Sequence, residues 1–486
     1  MFRMTIETSP GSRVLNVVVV VRVGTVTVDR GFGMTTLLRR GRSRDWAPRG
    51  PRVRLLLSAV PVAALVWQMG LASATSGGPS SSGLGPLRLV SSSRPGIGGN
   101  LASGQPSFSA DGRYLTFSSE ASNLVPGDTN NAWDVFVRDM RTGRITRVSV
   151  SSTGAQANNT SVDPAISADG RFVAFDSTAT NLVPGHLAAN VEAVYVRDLV
   201  TGTTSLVSVS STWARPGPYT LSQGPSMSAD GRYVVFESSA NLVPGSSDGS
   251  MQVYLRDRWM GTTRLVSVSS AGVLSNQGGS AQPVISASGR FVAYYSLATN
   301  LVPGRSKGFE VYVWDVLSSH TQRVSVTTGG IEGSGSSPSI SADGHYVAFY
   351  GEVPLTGGTF TDNVYVHDMW TGTTRLASPG LGGAPGNNGS YFCTISPDGR
   401  YVGYVSDATN LVPGDTNNAT DTFVRDLQSG TTWRVDVTDT GAQAIYTQQP
   451  YGVAFAPNHL IAFASNAPLI PSPLNNSSNI YVRTVP

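Results

Sequence analysis

The chain has 486 residues, of which 13% are charged and 54 are glycine, and it contains one cysteine, Cys393. Residues 1–54 hold 11 arginines and 3 acidic residues, a net charge of +8, which leaves 23 basic and 28 acidic residues, a net charge of −5, for the remainder. A mildly acidic body argues against nucleic-acid binding, because neutralising phosphates requires a basic surface. A single cysteine excludes an intramolecular disulfide and a thiolate metal cluster.

The N-terminal region has the pattern of an export signal. An arginine-rich segment at residues 39–54 precedes an apolar run of 18 residues at 55–72, and Ala72-Ser73-Ala74 offers small residues for cleavage. We therefore predict a signal peptide over residues 34–74, cleaved after Ala74. An uncleaved membrane anchor is the alternative, because the apolar run is near the minimum length that spans a bilayer. Either reading predicts an extracytoplasmic protein, which is secreted, periplasmic or held at the cell envelope.

The segments on either side of this signal are simpler. We expect residues 1–33, which lie upstream of Met34, to be a mis-assigned start or a disordered segment. Residues 75–85, TSGGPSSSGLG, have the composition of a flexible linker.

From residue 86 onward one sequence unit recurs seven times. An Asp-Gly turn or its equivalent marks each copy at a spacing of 55 to 61 residues, at Asp111, Asp169, Asp230, Ser288, Asp343, Asp398 and Asn458. Each copy contains four short β-type runs, which is the content of one propeller blade. We therefore predict an all-β fold, a seven-bladed β-propeller over residues 86–486, with a six-bladed propeller as the alternative.

The four predicted strands of a copy, a to d, are clearest in the first one. Strand a covers residues 106–110, strand b begins at Tyr114, strand c covers residues 134–139, and strand d covers residues 145–150. Strand b is apolar in every copy, so both of its faces must be covered. Its third residue is mostly small, and we expect the fourth to fill the space left by a small residue of the neighbouring blade. That fourth residue is always aromatic: Phe117, Phe175, Phe236, Tyr294, Phe349, Tyr404 and Phe463.

The loops of the predicted propeller divide between its two faces. The a–b and c–d turns are tight, whereas the b–c and d–a connections are longer and more variable, and these emerge together on what we call the long-loop face. The last copy ends after strand c, and residues 87–91 resemble a strand d that no other strand precedes. We predict that this N-terminal strand completes the last blade and protects its sheet edge.

The motifs SADGRYVxF, NLVPGDTN and VYVRDxxTGTTxRVS together resemble the TolB-like family of bacterial propeller repeats, which is loosely related to WD-repeat propellers. The resemblance covers most of residues 86–486 and implies extracytoplasmic binding or scaffolding. TolB itself joins a six-bladed propeller to an N-terminal α/β domain, whereas we count seven units here and expect no such domain. The partners of TolB are therefore not carried over.

Two b–c loops carry oxygen side chains at the spacing of part of a calcium loop. The six residues are Asp128, Asn130, Asp134, Asp415, Asn417 and Asp421. The glycine and the distal glutamate of a complete EF-hand loop are missing. Calcium binding and local capping of the turn by these side chains both remain open, and no other cofactor is expected.

The aromatic residues of the long connections are the candidate ligand-binding residues. With Asn and Gln nearby, they could stack on sugars or peptides, or they could simply plug the opening. The six candidates are Trp133, Trp213, Tyr219, Tyr391, Tyr446 and Tyr451.

The remaining residues that could take part in chemistry occupy positions that recur in the repeat, and this favours structural roles for them. His345 and His367 replace arginines of the repeat, and Cys393 lies in an apolar strand as a buried thiol. The Arg-Asp pairs that close strand c, such as Arg138 and Asp139, are interpreted as ion pairs that lock the turn. No GxSxG nucleophile motif is present.

These observations favour a non-catalytic binding or scaffold propeller that holds a protein, peptide or glycan at the long-loop face. A polysaccharide lyase or glycosidase that uses the same face is the alternative, and it requires converging carboxylates. The acids that the sequence places there, Asp128, Asp134, Asp415 and Asp421, belong to blades one and six. We expect a monomer that binds no nucleic acid and meets a membrane only through an uncleaved leader.

Overall fold

The computed structural model describes residues 2–5, 16–22, 25–29, 83–94, 97–185, 187–188, 190–246, 249–276, 279–304, 308–354, 362–444, 453–471 and 477–486. The chain divides into two compact units, Met1–Ala72 and Ser73–Pro486. In the first unit, β1 (Phe2–Thr5), β2 (Asn16–Arg22) and β3 (Thr25–Asp29) form an antiparallel sheet in that order. The predicted signal peptide lies outside the described residues, as does most of the predicted linker. None of the described residues forms a helix that is long and apolar enough to cross a membrane.

The second unit is built from seven four-stranded antiparallel sheets, one for each blade. Blade 1 contains β7 (Ser103–Phe108), β8 (Tyr114–Ser119), β9 (Asp134–Asp139) and β10 (Ile145–Arg147). Blade 2 contains β11 (Ser161–Ile166), β12 (Phe172–Ser177), β13 (Ala193–Asp198) and β14 (Thr203–Leu206). Blade 3 contains β15 (Ser222–Met227), β16 (Tyr233–Ser238), β17 (Gln252–Asp257) and β18 (Thr262–Leu265). Blade 4 contains β19 (Ser280–Ile285), β20 (Phe291–Ser296), β21 (Glu310–Asp315) and β22 (Thr321–Arg323).

The remaining blades follow the same plan. Blade 5 contains β23 (Ser336–Ile340), β24 (Tyr346–Gly351), β25 (Asn363–Asp368) and β26 (Thr373–Leu376). Blade 6 contains β27 (Ser390–Ile395), β28 (Tyr401–Ser406), β29 (Asp421–Asp426) and β30 (Thr432–Arg434). Blade 7 contains β31 (Val453–Ala456), β32 (Leu460–Ser465), β33 (Asn479–Thr484) and the N-terminal β4 (Arg88–Leu89). Between β4 and blade 1, β5 (Ser92–Arg94) pairs with β6 (Ile97–Gly98).

The first strand of every blade lies nearest the axis of the ring. Neighbouring first strands contact each other in turn from β7 to β31, and β31 contacts β7 again. Each sheet then runs outward to its fourth strand. The ring is thus closed and has seven blades, which confirms the predicted fold and not the six-bladed alternative.

The N-terminal strand completes blade 7, as predicted. Leu89 and Arg88 of β4 pair antiparallel with Tyr481 and Val482 of β33. The backbone N–H of Val90 continues the pairing by donating to the carbonyl oxygen of Ile480 at 2.7 Å. The last strand of the ring therefore comes from the start of the propeller sequence, which ties the two ends of the ring together.

A hydrophobic cluster occupies each of the seven junctions between blades. In the junction between blades 2 and 3, Phe236 belongs to the same cluster as Ala174, and both are fully buried. Phe236 also stacks on Tyr254 of its own blade, with ring centroids 6.0 Å apart. The combination of an aromatic residue with an alanine of the preceding blade recurs as Phe349 with Ala293, Tyr404 with Ala348 and Phe117 with Ala462. The predicted packing between blades is confirmed.

The Arg-Asp pairs predicted to lock the third-strand turn have different partners from those expected. Adjacent residues of a strand point to opposite sides, so Arg138 and Asp139 do not face each other. Asp139 instead pairs with the guanidinium of Arg113, from the first turn of its blade, at 3.1 Å. Arg138 donates to the carbonyl oxygen of Val90 in the preceding blade at 2.6 Å. The aspartate joins two turns of one blade, and the arginine joins neighbouring blades.

The two histidines and the cysteine that we interpreted as structural occupy positions of the repeat with structural contacts. His345 takes the place of Arg113 in blade 5, and its Nε2 lies 2.9 Å from Asp368. His367 takes the place of Arg138, and its Nδ1 lies 2.8 Å from the hydroxyl of Thr374. Cys393 is buried, and burial raises the pKa of its thiol to about 12. The described contacts of these three residues are those of the fold.

The first strand differs from its predicted bounds. The prediction covered residues 106–110, whereas β7 begins at Ser103, ends at Phe108 and contains a β-bulge between Gly104 and Ser107. Gln105, inside the bulge, has a φ of 55°, in the left-handed region. The prediction relied on alternation of polar and apolar residues. The polar residues before Pro106 show no such alternation, so the predicted strand began too late.

Candidate binding site at the central opening

The β-bulge recurs in the first strand of blades 1 to 6. Its central residues have φ values between 46° and 60°, and they are Gln105, Asp163, Gly224, Gln282, Ser337 and Phe392. This conformation costs free energy in a residue other than glycine, and bulges commonly re-aim one side chain. The side-chain amide of Gln105 donates to Asp163, and the hydroxyl of Ser337 donates to Gln282 at 2.7 Å. Because these contacts join neighbouring blades, the bulge residues follow one another around the axis.

The fifth residue of each second strand lies beside the bulge. For example, Glu237 of β16 pairs with Gln223, next to Gly224. The fourth residue of these strands is aromatic in all seven blades, but the fifth changes from blade to blade: Ser118, Asp176, Glu237, Tyr295, Tyr350, Val405 and Ala464. The first strand begins at the long d–a connection, and the second strand leads into the long b–c connection. Both variable positions therefore lie near the long-loop end of the central opening.

Blades 2 and 3 contribute four carboxyl groups at this end, which we call the acid cluster. Asp163 is the bulge residue of β11, Asp176 and Glu237 are fifth residues of β12 and β16, and Glu192 precedes β13. Burial, together with Glu192 and Glu237 nearby, raises the pKa of Asp163 to about 6. Burial likewise raises the pKa of Glu192 and of Glu237. None of the four forms an ion pair within the described part of the chain.

Asp176 is the most buried member of the acid cluster, with 1% of its surface exposed. Its Oδ1 accepts a hydrogen bond from the backbone N–H of Gly224 at 3.2 Å, but no donor among the described residues reaches Oδ2. Burial, together with the charges of Asp163 and Glu192, raises the pKa of Asp176 well above its ordinary value. If both were ionised, Asp176 and Glu192 would repel each other, because neither has an ion-pair partner among the described residues.

Elsewhere in the part of the chain that the structure describes, three close acidic pairs hold an arginine. The three sets are Arg147 with Asp128 and Asp134, Arg323 with Glu310 and Glu332, and Arg434 with Asp415 and Asp421, at N–O distances of 2.7–3.5 Å. In blades 2 and 3 the positions equivalent to these arginines, opposite the aromatic residue of the third strand, hold Leu206 and Leu265. The acids that these arginines pair with are absent there too, because Ala193 and Gln252 begin the third strands of blades 2 and 3.

The residues of the two predicted calcium loops form two separate groups, one in blade 1 and one in blade 6. The side-chain amide of Asn130 donates to Asp134 at 3.1 Å, and that of Asn417 donates to Asp421 at 2.9 Å. In each group, an arginine guanidinium pairs with both carboxylates. No set of three or more His, Cys, Asp and Glu side chains is arranged to hold a metal ion among the residues that the structure describes. Calcium binding stays a prediction, and it would have to displace the arginine.

Blades 4 to 6 contribute an aromatic cluster to the same end of the opening, made of Tyr295, Phe309, Tyr350, Tyr391 and Phe392. Tyr295 meets Phe309 edge to face, with ring centroids 5.2 Å apart. Tyr350 lies 6.2 Å from Tyr391 and 6.0 Å from Phe392, measured between ring centroids. All five side chains keep part of their surface exposed, and Phe309 is 47% exposed. These rings offer stacking surface to a ligand.

Glu237 joins the acid cluster to the aromatic cluster. Its carboxylate accepts hydrogen bonds from the side chain of Gln223 at 2.7 Å and from the backbone N–H of Gln282 at 2.6 Å. Burial and the charge of Glu237 raise the pKa of Tyr295, which reflects how close the two residues are. The opening thus has an acidic side over blades 2 and 3 and an aromatic side over blades 4 to 6, so that it can hold a ligand by charge and by stacking together.

The structure describes four of the six aromatic residues predicted from the sequence, and they lie in different surroundings. Tyr391 lies in the aromatic cluster, and its hydroxyl donates to Asp407. Trp133 is half-buried in blade 1. Trp213 is 63% exposed and covers the guanidinium of Arg256 at 4.5 Å.

Of the other three predicted aromatic residues, the structure describes one. Tyr219 is 80% exposed in the connection between blades 2 and 3. Tyr446 and Tyr451 lie outside the described residues. Ligand binding by these residues, and by Trp133 and Trp213, stays a prediction.

Sequence reasoning missed the acid cluster, although one signal was available. When the copies are aligned on the aromatic fourth residue, the next position carries Asp176 and Glu237 where other blades carry Ser, Tyr, Val or Ala. A charged residue inside an apolar strand is costly to bury and therefore informative. The contribution of Asp163 could not be found in this way, because the bulge that carries it has no apolar pattern.

No family model and no curated protein matches the chain. Among solved structures, an oligogalacturonate lyase in complex with manganese is 14% identical, and the match covers 84% of this chain and 95% of that one, with a TM-score of 0.52. An oligogalacturonate lyase from Vibrio parahaemolyticus is also 14% identical, over 82% of this chain and 93% of that one, with a TM-score of 0.50. TolB from Acinetobacter baumannii is 16% identical over 62% of this chain, which spans 58% of that TolB, with a TM-score of 0.38. At these identities the likeness is one of fold, that of a β-propeller.

Proposed function

We propose that this chain is an extracytoplasmic, monomeric binding propeller that holds a protein, peptide or glycan ligand at its central opening on the long-loop face. The proposal rests on the contrast between two adjacent positions of the second strand. The fourth residue is aromatic and buried in all seven blades, whereas the fifth changes from one blade to the next. Residues that only support the ring are similar in every blade. A surface that recognises an asymmetric ligand needs residues that differ between blades.

The test is a glycan and peptide array probed with the full-length chain, followed by affinity measurements on the strongest ligand. Tyr350→Leu, in the aromatic cluster, should weaken binding at least tenfold because a stacking ring is lost. Trp370→Leu is the matched control, since it removes an exposed aromatic residue from a tight turn on the opposite face. Equal affinities of Tyr350→Leu and the parent chain for every array ligand would contradict binding at the opening.

A glycosidase or polysaccharide lyase is the second candidate function. It is favoured by one observation, that burial and the neighbouring acids raise the pKa of Asp176 well above its ordinary value beside Glu192. Glycosidases pair a carboxylic acid that donates a proton with a second carboxylate. A depolymerisation screen on plant and bacterial glycans distinguishes the two functions. Product release that disappears in Asp176→Asn would establish the enzyme, and binding without product release would establish the binding module.

A further inference from the structure

We infer that the ligand of the central opening carries an organic ammonium group, which binds between the acid cluster and the aromatic cluster. The inference rests on the proposed function and names the chemical class that the opening selects. Three features support it: the charge of the acid cluster, the unpartnered oxygen of Asp176 and the aromatic rings on the opposite side.

The charge of the acid cluster is the first step. Four carboxyl groups of blades 2 and 3 lie close together, and none of them has an ion-pair partner among the described residues. The same chain neutralises other close acidic pairs with Arg147, Arg323 and Arg434. A cationic ligand would supply the positive charge that the chain leaves out here.

The unpartnered oxygen is the second step. Asp176 is 1% exposed and its Oδ2 has no donor among the described residues, although a buried carboxylate oxygen without a hydrogen bond is costly. An N–H group of a ligand at the opening would satisfy it.

The aromatic cluster is the third step, and it favours an organic cation over a metal ion. A metal ion is held by oxygen, nitrogen or sulfur ligands alone, whereas an alkylammonium group is also attracted to the faces of aromatic rings within about 6 Å. Glu237 accepts a hydrogen bond from the backbone N–H of Gln282, and the preceding residue, Ala281, pairs with Tyr295 across β19 and β20. Phe309 meets Tyr295 edge to face and continues the aromatic side. A cation bound between the two sides would meet carboxylates on one side and rings on the other.

The carboxylates are also fixed before any ligand arrives. Glu237 is held by Gln223 and by the backbone N–H of Gln282, and Asp163 is held by Gln105. These bonds join blade 1 to blade 2 and blade 3 to blade 4, so the ring sets the positions of the acids. A ligand would therefore bind without an additional cost for ordering these side chains.

The experiment is a calorimetric titration of the full-length chain at constant ionic strength with two matched pairs of probes. Choline is compared with 3,3-dimethylbutan-1-ol, and n-butylammonium is compared with butan-1-ol, so that each pair differs chiefly in charge. We expect at least one cation to bind at least tenfold more tightly than its neutral partner. Calcium chloride and manganese chloride are titrated in parallel, and we expect neither to compete with that cation.

Two isosteric variants locate the binding. Asp176→Asn and Glu237→Gln each remove one charge of the acid cluster and should weaken cation binding at least tenfold, while thermal unfolding reports whether each variant is folded. Glu332→Gln is the matched control, because it removes a carboxylate that is paired with Arg323 in blade 4. Its affinity for the cation should equal that of the parent.

The outcomes separate this inference from the proposed function. Equal affinity for a cation and its neutral partner, cation binding retained in both folded variants, or displacement of the cation by calcium or manganese overturns the inference. If an array ligand still depends on Tyr350 in that case, the proposed function stands without the ammonium class. If no ligand depends on Tyr350, both fail.

Discussion

Two neighbouring residues of each second strand have different surroundings, and Phe236 and Glu237 illustrate the difference. Phe236 points into the junction between blades, where it is fully buried and stacked on Tyr254. Glu237 lies on the other face of the strand, where it accepts hydrogen bonds from Gln223 and from the backbone N–H of Gln282 in blade 4. A core position and a candidate binding position are thus separated by one step along the chain.

A pair of substitutions tests this separation. Phe236→Ala should lower the free energy of unfolding by roughly 3–5 kcal/mol, because it leaves a cavity in the core. Tyr350→Ala removes a partly exposed ring, so the loss should be less than half as large. Chemical denaturation of both variants provides the measurement, and equal losses would show that the assignment of core and opening is wrong.

The raised pKa of Asp163 predicts how stability depends on pH. Its pKa is about 6 in the folded chain against an ordinary value of 3.8, so the unfolded chain ionises first as the pH rises, and the folded state loses stability between about pH 4 and pH 6. Asp163→Asn should remove this loss. The variant should match the parent below pH 4 and exceed it above pH 7 by at most roughly 3 kcal/mol, the equivalent of the pKa difference.

Asp198 provides the control of opposite sign. The guanidinium of Arg171 lowers the pKa of Asp198, so this carboxylate contributes stability that is present above pH 4 and is lost as the pH falls through its lowered pKa. Asp198→Asn should therefore destabilise the chain at pH 7, and the deficit should shrink in acid. Urea titrations across the pH range would show both effects, and parallel pH profiles for the two variants would contradict these assignments.

At the scale of the elements, the short strand β4 closes the ring of blades. It supplies the outermost strand of blade 7 and joins the beginning of the propeller to β33. Arg483 of β33 strengthens this junction, because its guanidinium donates to the carbonyl oxygen of Gly85 at 3.0 Å and to that of Val437 in blade 6 at 2.8 Å. The N-terminal segment thus ties blade 7 in place.

Deletion of residues 87–92 should open the ring at this junction. The outer edge of β33 would lose its partner, and Val90 would leave the cluster between blades 7 and 1. We expect a lower melting temperature with a broader transition, or aggregation through the exposed edge. Differential scanning calorimetry with light scattering provides the measurement, and a melting curve identical to that of the parent would mean that β4 does not close the ring.

At the scale of the whole molecule, the repeat made the architecture predictable. The spacing of the Asp-Gly turns predicted the seven blades, and the missing fourth strand of the last copy pointed to residues 87–91 as the closing strand. Partners along a strand were harder to predict, because Arg138 and Asp139 are neighbours in sequence but face opposite sides. The site was hardest of all. Asp163, Asp176 and Glu192 come together only through the bulge and the arrangement of blades around the axis, which the sequence pattern does not specify.

Export is a prediction about the whole chain that the sequence alone supports. The arginine-rich segment and the apolar run at residues 55–72 should direct the chain across the membrane, with cleavage after Ala74. Mass spectrometry of the protein from its native host should find Thr75 at the mature N-terminus. An intact apolar run in the membrane fraction would indicate an anchored propeller instead, and a full-length soluble cytosolic protein would contradict both.

The central claim is that ligand binding occurs where the seven blades differ, at the long-loop end of the central opening. A crystal structure of the full-length chain with the strongest ligand from the arrays tests it most directly. The account predicts ligand density within contact distance of Glu237 and Tyr350, on the acidic and the aromatic sides of the opening. A ligand bound on the outer edge of a blade or on the tight-turn face, with these side chains untouched, would contradict it.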